Sequence, residues 1–457
     1  MTRYPLRRFF PILILSLLLL AGCSSFGPLG ANTTPTPTRP SSSATAGVPS
    51  PDGATPTLDD VCPIQGLNNS NGSGVTCLTP HQLRVAFGIE PLIEQGYTGK
   101  GQTIIDIVSF GSPTLQQDMD TFDQEFGLPP IKIQVISNVV NEPISDPNND
   151  RPGWAGETEL DVQIIHTIAP DAKIIVMTSP VAETEGTVGL PEFLKLEQYA
   201  LSHHLGDIVS QSWGASEVTL NNAAGQQELQ QWNGFYQQAT TQQGMTFFGS
   251  SGDNGATDYN NLQATRLSPT ATTSFPADSP WVTGCGGTTI TDNGGTYQET
   301  AWSDSGGGFS IFSSEPGYQQ LLPASDQSEL NHRRGVPDVS APADPNTGLA
   351  IYFQGQWGLA GGTSASAPFW AGLQAIANQM AGHPLGFINP ALYKLGTSSQ
   401  YNQDFSDITS GNNSVHSHGV NVQGYSATTG WDPITGLGTP VAYKLLPALI
   451  NTMKSST

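Results

Sequence analysis

The stretch Gly361-Gly362-Thr363-Ser364-Ala365-Ser366-Ala367-Pro368, followed by the apolar run 369–377 (FWAGLQAIA), decides how this chain is read. A glycine pair lets the backbone turn tightly through positive φ, where a side chain clashes. The alanine-rich segment after it predicts a helix, with Pro368 tolerated in the first turn. Ser364 therefore falls at a turn-to-helix junction, beside unpaired backbone N–H groups and the positive end of the helix dipole. A serine nucleophile is useful there, because the same N–H groups can hold the oxyanion it generates. On this octapeptide alone, a plain helix N-cap at Thr363 or Ser364 explains the pattern equally well.

A serine nucleophile needs a base. The chain holds 8 histidines, none in the His-Gly-Thr context that carries the base in subtilisin-like enzymes. Residues 156–166 (GETELDVQIIH) offer carboxylates instead. Glu157 and Asp161 stand at i and i+4 of a predicted helix whose apolar face is Ile164, Ile165 and Ile168 and which ends at Ala169-Pro170. They share one helix face, about 6 Å apart along the axis. Two ionised carboxylates so close repel, so one tends to keep a proton. Such a pair can serve a serine as base and then as acid, most naturally at acidic pH. The competing reading is a solvated acidic face that also includes Glu159. A third acid, Asp253, follows a short apolar strand at the start of the Gly-rich turn in 244–255, where ligands bind in open α/β sheets. Protonated, it could donate to a developing oxyanion. The alternative is an ordinary turn aspartate.

Together these residues resemble the sedolisin family, the serine-carboxyl peptidases. The resemblance runs from about Thr79 to the C-terminus and rests on several separate motifs. They are Thr79-Pro80-His81-Gln82-Leu83-Arg84 with 99–104 (GKGQTI), Glu157 to Asp161, and Ser212-Trp213-Gly214. Ser251-Gly252-Asp253, Gly286-Gly287-Thr288, 336–341 (VPDVSA), Gly362-Thr363-Ser364 and Gly430-Trp431-Asp432-Pro433 with Gly436-Leu437-Gly438 complete the set. The resemblance implies an α/β fold, a subtilisin-like parallel sheet with helices on both faces, and peptide-bond hydrolysis in acid. Position by position it implies Ser364 as nucleophile, Glu157 as general base and acid, Asp161 as its hydrogen-bonded partner and Asp253 as oxyanion donor. Trp213 matches a tryptophan near that network, and equally a core aromatic.

The same resemblance implies one structural Ca²⁺ near the C-terminus. Its ligands would be the side chains of Asp407 and Asp432 and the carbonyls of Ile408, Thr428 and Gly430, an oxygen mixture that suits the ion. Position 428 is Thr where relatives often have glycine. Two departures stand out. Relatives are commonly made with a large N-terminal pro-domain, and the roughly twenty residues between the tether and Thr79 are too few to build one, so folding and latency are expected to be handled differently. Some relatives also carry an extra acid at the end of the first strand. Here Val108 and Ser109 occupy that region and Asp106 is read at a different phase, leaving the wider proton network open.

At 457 residues the chain could form two domains or one large α/β domain. Lys+Arg total 16 against Asp+Glu 38, a formal charge of −22, which argues against a nucleic-acid binder and its basic footprint. It suits an exported protein working in acid, where protonation brings the surface toward neutrality. Arg3, Arg7 and Arg8 precede the apolar core 9–20, too short to span a bilayer comfortably. It ends in Leu20-Ala21-Gly22-Cys23, which resembles a bacterial lipoprotein box. Residues 1–22 are therefore expected to be a lipoprotein signal peptide and Cys23 the lipidated residue; a plain signal peptide with an incidental cysteine is the alternative.

Residues 23–57 read as a disordered Ser/Thr/Pro-rich tether. Residues 58–78 form a short Cys-flanked segment, in which an oxidising exported setting favours a disulfide between Cys62 and Cys77. Residues 79–457 form the sedolisin-like peptidase domain. Cys285 is expected to be a buried free thiol. Candidate strands are 103–110, 131–136, 173–177, 208–212, 245–249 and 281–282, several apolar throughout, as in parallel strands covered on both faces.

The expectation is an acid-active serine-carboxyl endopeptidase: a monomer held by a lipid anchor on the extracytoplasmic face of a bacterial cell membrane, acting on polypeptides and binding no nucleic acid. A tripeptidyl-peptidase-type exopeptidase and a catalytically silent, peptide-binding surface lipoprotein are the alternatives. Intact Ser364, Glu157, Asp161 and Asp253 count against the silent form.

Overall fold

The β-branched runs of the sequence become parallel strands with helices on either side. A computed structural model describes residues 61–64, 76–183, 186–293 and 295–455. The expected signal peptide, Cys23 and tether lie outside them. The central sheet has eight strands: β1 (Thr103–Ser109), β2 (Gln134–Ile136), β3 (Lys173–Ser179), β4 (Ile208–Gln211), β5 (Thr246–Ser250), β6 (Thr283–Asp292), β7 (Tyr297–Ala301) and β8 (Val339–Pro342). Their order is β2-β3-β1-β4-β5-β6-β8, all parallel, with β7 antiparallel to β6.

Four long helices cover the sheet: α1 (Arg151–Ile168), α2 (Leu190–Ser202), α3 (Ala223–Gln243) and α4 (Thr363–Ala381). Parallel register aligns Asp106 of β1 with Ser210 of β4, and Ser210 with Phe248 of β5. Side chains alternate along a strand, so Ser210 and Ser212 face one side while Val209 and Gln211 face the other. On the second side Gln211 donates to Glu197 of α2 at 2.9 Å and to the hydroxyl of Tyr236 of α3 at 2.5 Å. On the first, Ser212 reaches α1 and α4, and Asp106 shares that face. The chain runs from β1 outward to β2, back to β3, and then across to β4. The loops at the C-terminal strand ends therefore meet where the strand order reverses, the usual place for a site in such sheets.

Two readings of the sequence need correcting. The last candidate strand, 281–282, precedes the real one, which begins at Thr283. Its Gly284, Gly286 and Gly287 resemble a turn in sequence but serve close packing. A Cβ on Gly286 would lie 2.5 Å from the Ile434 carbonyl oxygen, and one on Gly287 2.5 Å from the Ala343 Cβ. The second concerns the acidic face of α1, which is not solvated. From Trp154 onward every residue of this helix is buried, Glu159 and Asp161 completely.

Glu159 accepts hydrogen bonds from Ser112 at 2.7 Å and Gln163 at 3.2 Å. Burial, with repulsion from Asp118, pushes its carboxyl up to about 8. An unfolded glutamate titrates at about 4.3, so the folded state holds this proton more tightly. Its contribution to stability is complete below about pH 4 and is lost as pH rises through about 8. Thermal unfolding should therefore give a higher Tm at about pH 4 than at about pH 8, with Glu159→Gln removing part of the difference. An equally large loss in the variant would contradict this assignment.

Candidate active site

The glycine pair is required by its surroundings. Gly362 has φ +100°, and a Cβ on it would lie 2.6 Å from Asp253 Oδ2. A Cβ on Gly361 would lie 2.3 Å from the Ala343 carbonyl oxygen. Helix α4 begins at Thr363, and its N-cap, Gly362, has no side chain to cap it. The capping group comes from the loop after β5: Asp253 Oδ1 accepts from Thr363 N at 2.7 Å and Thr363 Oγ1 at 2.8 Å. Neither Thr363 nor Ser364 is the N-cap, and the Ser364 hydroxyl is free for other use.

Pro368 falls in the second turn of α4, not the first. It has no N–H for the carbonyl of Ser364 four residues back. That carbonyl accepts instead from Ser212 Oγ at 3.0 Å, and the same hydroxyl lies 2.6 Å from Asp161 Oδ1. The break in the helix thus ties the backbone of Ser364 to the carboxyl of Asp161.

Glu157 faces the Ser364 hydroxyl within hydrogen-bonding reach. Burial raises its carboxyl well above the ordinary range; the Ser364 bond opposes this, and the charges of Asp253, Asp106 and Glu183 reinforce it. Asp161 is also held well above its ordinary range, by burial and then by repulsion from Asp106 and Glu157. Where the resemblance implies a bond from Asp161 to Glu157, the structure bonds Asp161 to Ser212 and couples it to Asp106 and Glu157 through charge. Asp253 is partly exposed, and burial pushes its carboxyl up to about 6 against the bonds from Thr363. Its Oδ2 accepts no hydrogen bond among the described residues.

Of these groups Ser364, Ser212 and Asp253 border a cavity of about 100 Å³, whose lining also includes Trp213 and Asp258, with Glu157 and Asp161 outside it. Trp213 answers to both of its readings: it is buried against Phe193 and Trp232 and also lines the cavity. Sequence reasoning missed Asp258, which accepts from Tyr259 N at 2.7 Å, from Asn254 at 3.1 Å and from Ser274. Its signal was position, five residues beyond Asp253 in the same turn region. Asp106 was assigned the wrong phase. Strand alternation puts residues 106 and 108 on one face, and Asp106 lies within hydrogen-bonding reach of Asp161. His166, on the same helix as Glu157, turns away to the Pro129 carbonyl at 2.9 Å and Asp123 at 3.1 Å.

The two segments implied for calcium, 407–408 and 428–432, are joined by a hydrogen bond from Gly430 N to Asp407. Asp407 accepts from Gly430 N at 3.1 Å and from the Tyr401 hydroxyl at 3.0 Å. Asp432 accepts from Ile434 N and Thr435 N, both at 2.9 Å, from Thr435 Oγ1 at 2.9 Å and from Thr428 N at 3.3 Å. Burial pushes Asp432 up to about 7 despite these donors. The carbonyls of Ile408, Thr428 and Gly430 accept no hydrogen bond among the described residues. Thr428 is not at positive φ, so a non-glycine residue is accommodated there. Two carboxylates and free carbonyls are a hard-oxygen set that fits Ca²⁺. Among the described residues no cluster of three or more His, Cys, Asp or Glu is placed to hold a metal, so a cation here relies on carbonyl ligands. Elsewhere, Cys62 and Cys77 are joined in a disulfide and Cys285 is a buried free thiol.

The sequence profile of the Subtilase family matches residues 145–394. The chain is 33% identical over 394 residues to kumamolisin of Bacillus sp. (strain MN-32), covering 83% of this chain and 65% of that protein. It is 32% identical over 351 residues to sedolisin of Pseudomonas sp. (strain 101), covering 74% of this chain and 56% of that protein. The structure of Pseudomonas sedolisin, a serine-carboxyl proteinase complexed with two molecules of pseudo-iodotyrostatin, superposes with a TM-score of 0.69. That match has 28% sequence identity and covers 82% of this chain and 99% of the other. The chain belongs to the subtilase family, in its sedolisin branch. This sedolisin-family chain spans less than two thirds of the length of these two curated relatives.

Gly362→Ala should collapse this arrangement, because the new Cβ meets Asp253 and the backbone loses its positive φ. Any turnover at Ser364 by the folded variant should fall by about 10² or more, as for loss of a preorganised donor. Turnover within a few-fold of wild type would show that the contact between Gly362 and Asp253 does not shape the site.

Proposed function

We propose that this protein is an acid-active serine-carboxyl endopeptidase. The observation that carries the reading is Ser364 lining a cavity together with Asp253, while the buried Glu157 carboxyl bears on its hydroxyl and no histidine of the described residues lines that cavity. Ser364 Oγ attacks the substrate carbonyl carbon as its proton passes to the Glu157 carboxylate. The developing oxyanion is held by the proton of Asp253 Oδ2 and by the N–H of Ser364, which has no backbone acceptor among the described residues. Glu157 then gives its proton to the leaving amine, and the peptide bond breaks to leave an acyl group on Ser364. A water repeats the sequence, losing its proton to Glu157 and releasing the acid and free Ser364. Asp161 lies close enough to set the charge on Glu157 at each step.

Polypeptides are the proposed substrates. The sequence Leu20-Ala21-Gly22-Cys23 supports a lipid anchor at Cys23 and a place on the outer face of the membrane. A tripeptidyl-peptidase action is the second reading, because relatives of 30–33% identity carry that name, among them the human tripeptidyl-peptidase 1. Products from a long peptide separate the two: internal fragments support an endopeptidase, and successive tripeptides the exopeptidase.

Ser364→Ala and Glu157→Ala should each abolish turnover of an unfolded protein, and Asp253→Ala should lower it by about 10²–10³. Wild-type activity should peak in acid and fall as pH rises past about 6, where Asp253 loses its proton and repels the oxyanion. Asp253→Asn keeps an amide donor, so its remaining activity should decline less steeply. A wild-type optimum at or above about pH 7, where an imidazole base works best, would overturn the reading.

We further propose that Asp407, Asp432 and the carbonyls of Ile408, Thr428 and Gly430 hold a structural Ca²⁺. A cation bound only by the native state stabilises it, so chelation should lower Tm and Asp432→Ala should remove the calcium dependence. A melting curve indifferent to chelator at mildly acidic pH would count against the site.

A further inference from the structure

Asp106 is completely buried in the middle of β1, on the sheet face that carries Ser210 and Ser212. Neither of its carboxyl oxygens accepts a hydrogen bond from any N–H or hydroxyl of the described residues. Oδ2 of Asp161 is in the same position, since Ser212 serves only Oδ1. Helix α1 packs on β1 and sets the two orphaned carboxyls beside each other, and a carboxyl–carboxyl bond exists only when one of them carries a proton. A buried carboxylate left without any donor costs several kcal/mol, so the proton is retained.

We infer that Asp106 is a positioning residue for the nucleophile's base: it shares a proton with Asp161, holds that side chain against Ser212, and through Asp161 sets the protonation of Glu157. The inference rests on the peptidase reading of the same site. Asp106 does not line the cavity beside Ser364, so it acts on the reaction only through Asp161 and Glu157. The neighbouring elements contribute no compensating charge. In register with Asp106 stand Val176 of β3 and Ser210 of β4. Helix α4, packed on this face, contains no ionisable side chain. The charged groups bearing on the set are acidic: Asp161 and Glu157 of α1, with Asp253 and Glu183 beyond them. Glu197 of α2 lies across the sheet with Gln211.

The sign of the effect follows. Asp106 raises both Asp161 and Glu157 through its charge. Removing that charge lets Glu157 become a carboxylate at lower pH, so the acid limb of the activity profile moves down. The alkaline limb, set by Asp253, stays in place. An asparagine keeps a donor for Asp161 and the shape of the side chain, whereas a valine keeps neither.

The test is kcat and KM against pH for wild type, Asp106→Asn and Asp106→Val, each checked for folding by Tm in acid. Asp106→Asn should move the acid limb of kcat down by about one pH unit and leave KM within twofold. Asp106→Val should lose kcat about tenfold or more, as for an orphaned buried acceptor, again with little change in KM. A profile unchanged in position in both variants, with only Tm or the amount of active protein reduced, would mean that Asp106 is structural and the inference is wrong. A second readout does not depend on activity. In the inactive Ser364→Ala protein, carboxyl ¹³C NMR should show Glu157 and Asp161 titrating at lower pH once Asp106→Asn is added. Unmoved titrations would overturn the inference even if the peptidase reading holds, and moved titrations would support it even if no peptide substrate is cleaved.

Discussion

Acidic side chains are buried around Ser364 with no cationic side chain among the described residues to pair them, and the site is organised by that constraint. Removing a carboxylate from water is expensive unless it is paired, bonded or neutralised. The chain uses pairing elsewhere: buried Asp338 takes Arg334 at 2.8 Å and the Tyr393 hydroxyl at 2.7 Å. Around Glu157, Asp161 and Asp106 the described residues supply neither lysine nor arginine, only Ser364, Ser212 and other acids. Protonation is the remaining way to settle the charge. A site built in this manner is competent only while its protons are retained, so the pH of its surroundings becomes part of its chemistry.

Positioning then falls to the backbone. Helix α4 carries no cap of its own, so Asp253 caps it and its position is fixed against Gly362. Pro368 removes one helical donor, and the carbonyl thus released is taken by Ser212, which also holds Asp161. One helix start therefore registers three elements: the loop after β5, the end of β4 and helix α1. The Ser364 side chain, placed on this joint, moves little relative to the carboxyls around it, the preorganisation that the proposed nucleophile needs.

How much of this was legible in sequence depended on the range of the signal. The turn Gly361-Gly362 and the helix spacing of Glu157 and Asp161 are local, and local patterns name their own chemistry. Five of the six candidate strands were legible for the same reason, as short runs rich in β-branched and apolar residues. Strand β6 was not, because its glycines answer to contacts with Ile434 and Ala343, distant in the chain. The phase of Asp106 was misjudged because strand end and strand middle share one face, and only packing against α1 shows which residue meets Asp161. The cap on α4 was hidden for a similar reason: its donor and acceptor stand more than a hundred residues apart.

The central claim is that the acids around Ser364 hold protons in the folded protein well above the pH at which free carboxyls lose them. The direct measurement is infrared difference spectroscopy of the carboxylic-acid carbonyl stretch in the Ser364→Ala protein at about pH 6, above the ordinary carboxyl range. Spectra are subtracted against the same protein carrying Asp106→Asn or Asp161→Asn, because Glu157 is the carboxylate that takes the Ser364 proton. The account predicts a protonated-carboxyl band that disappears with these substitutions. Carboxylate bands alone at that pH, with both side chains ionised, would contradict it.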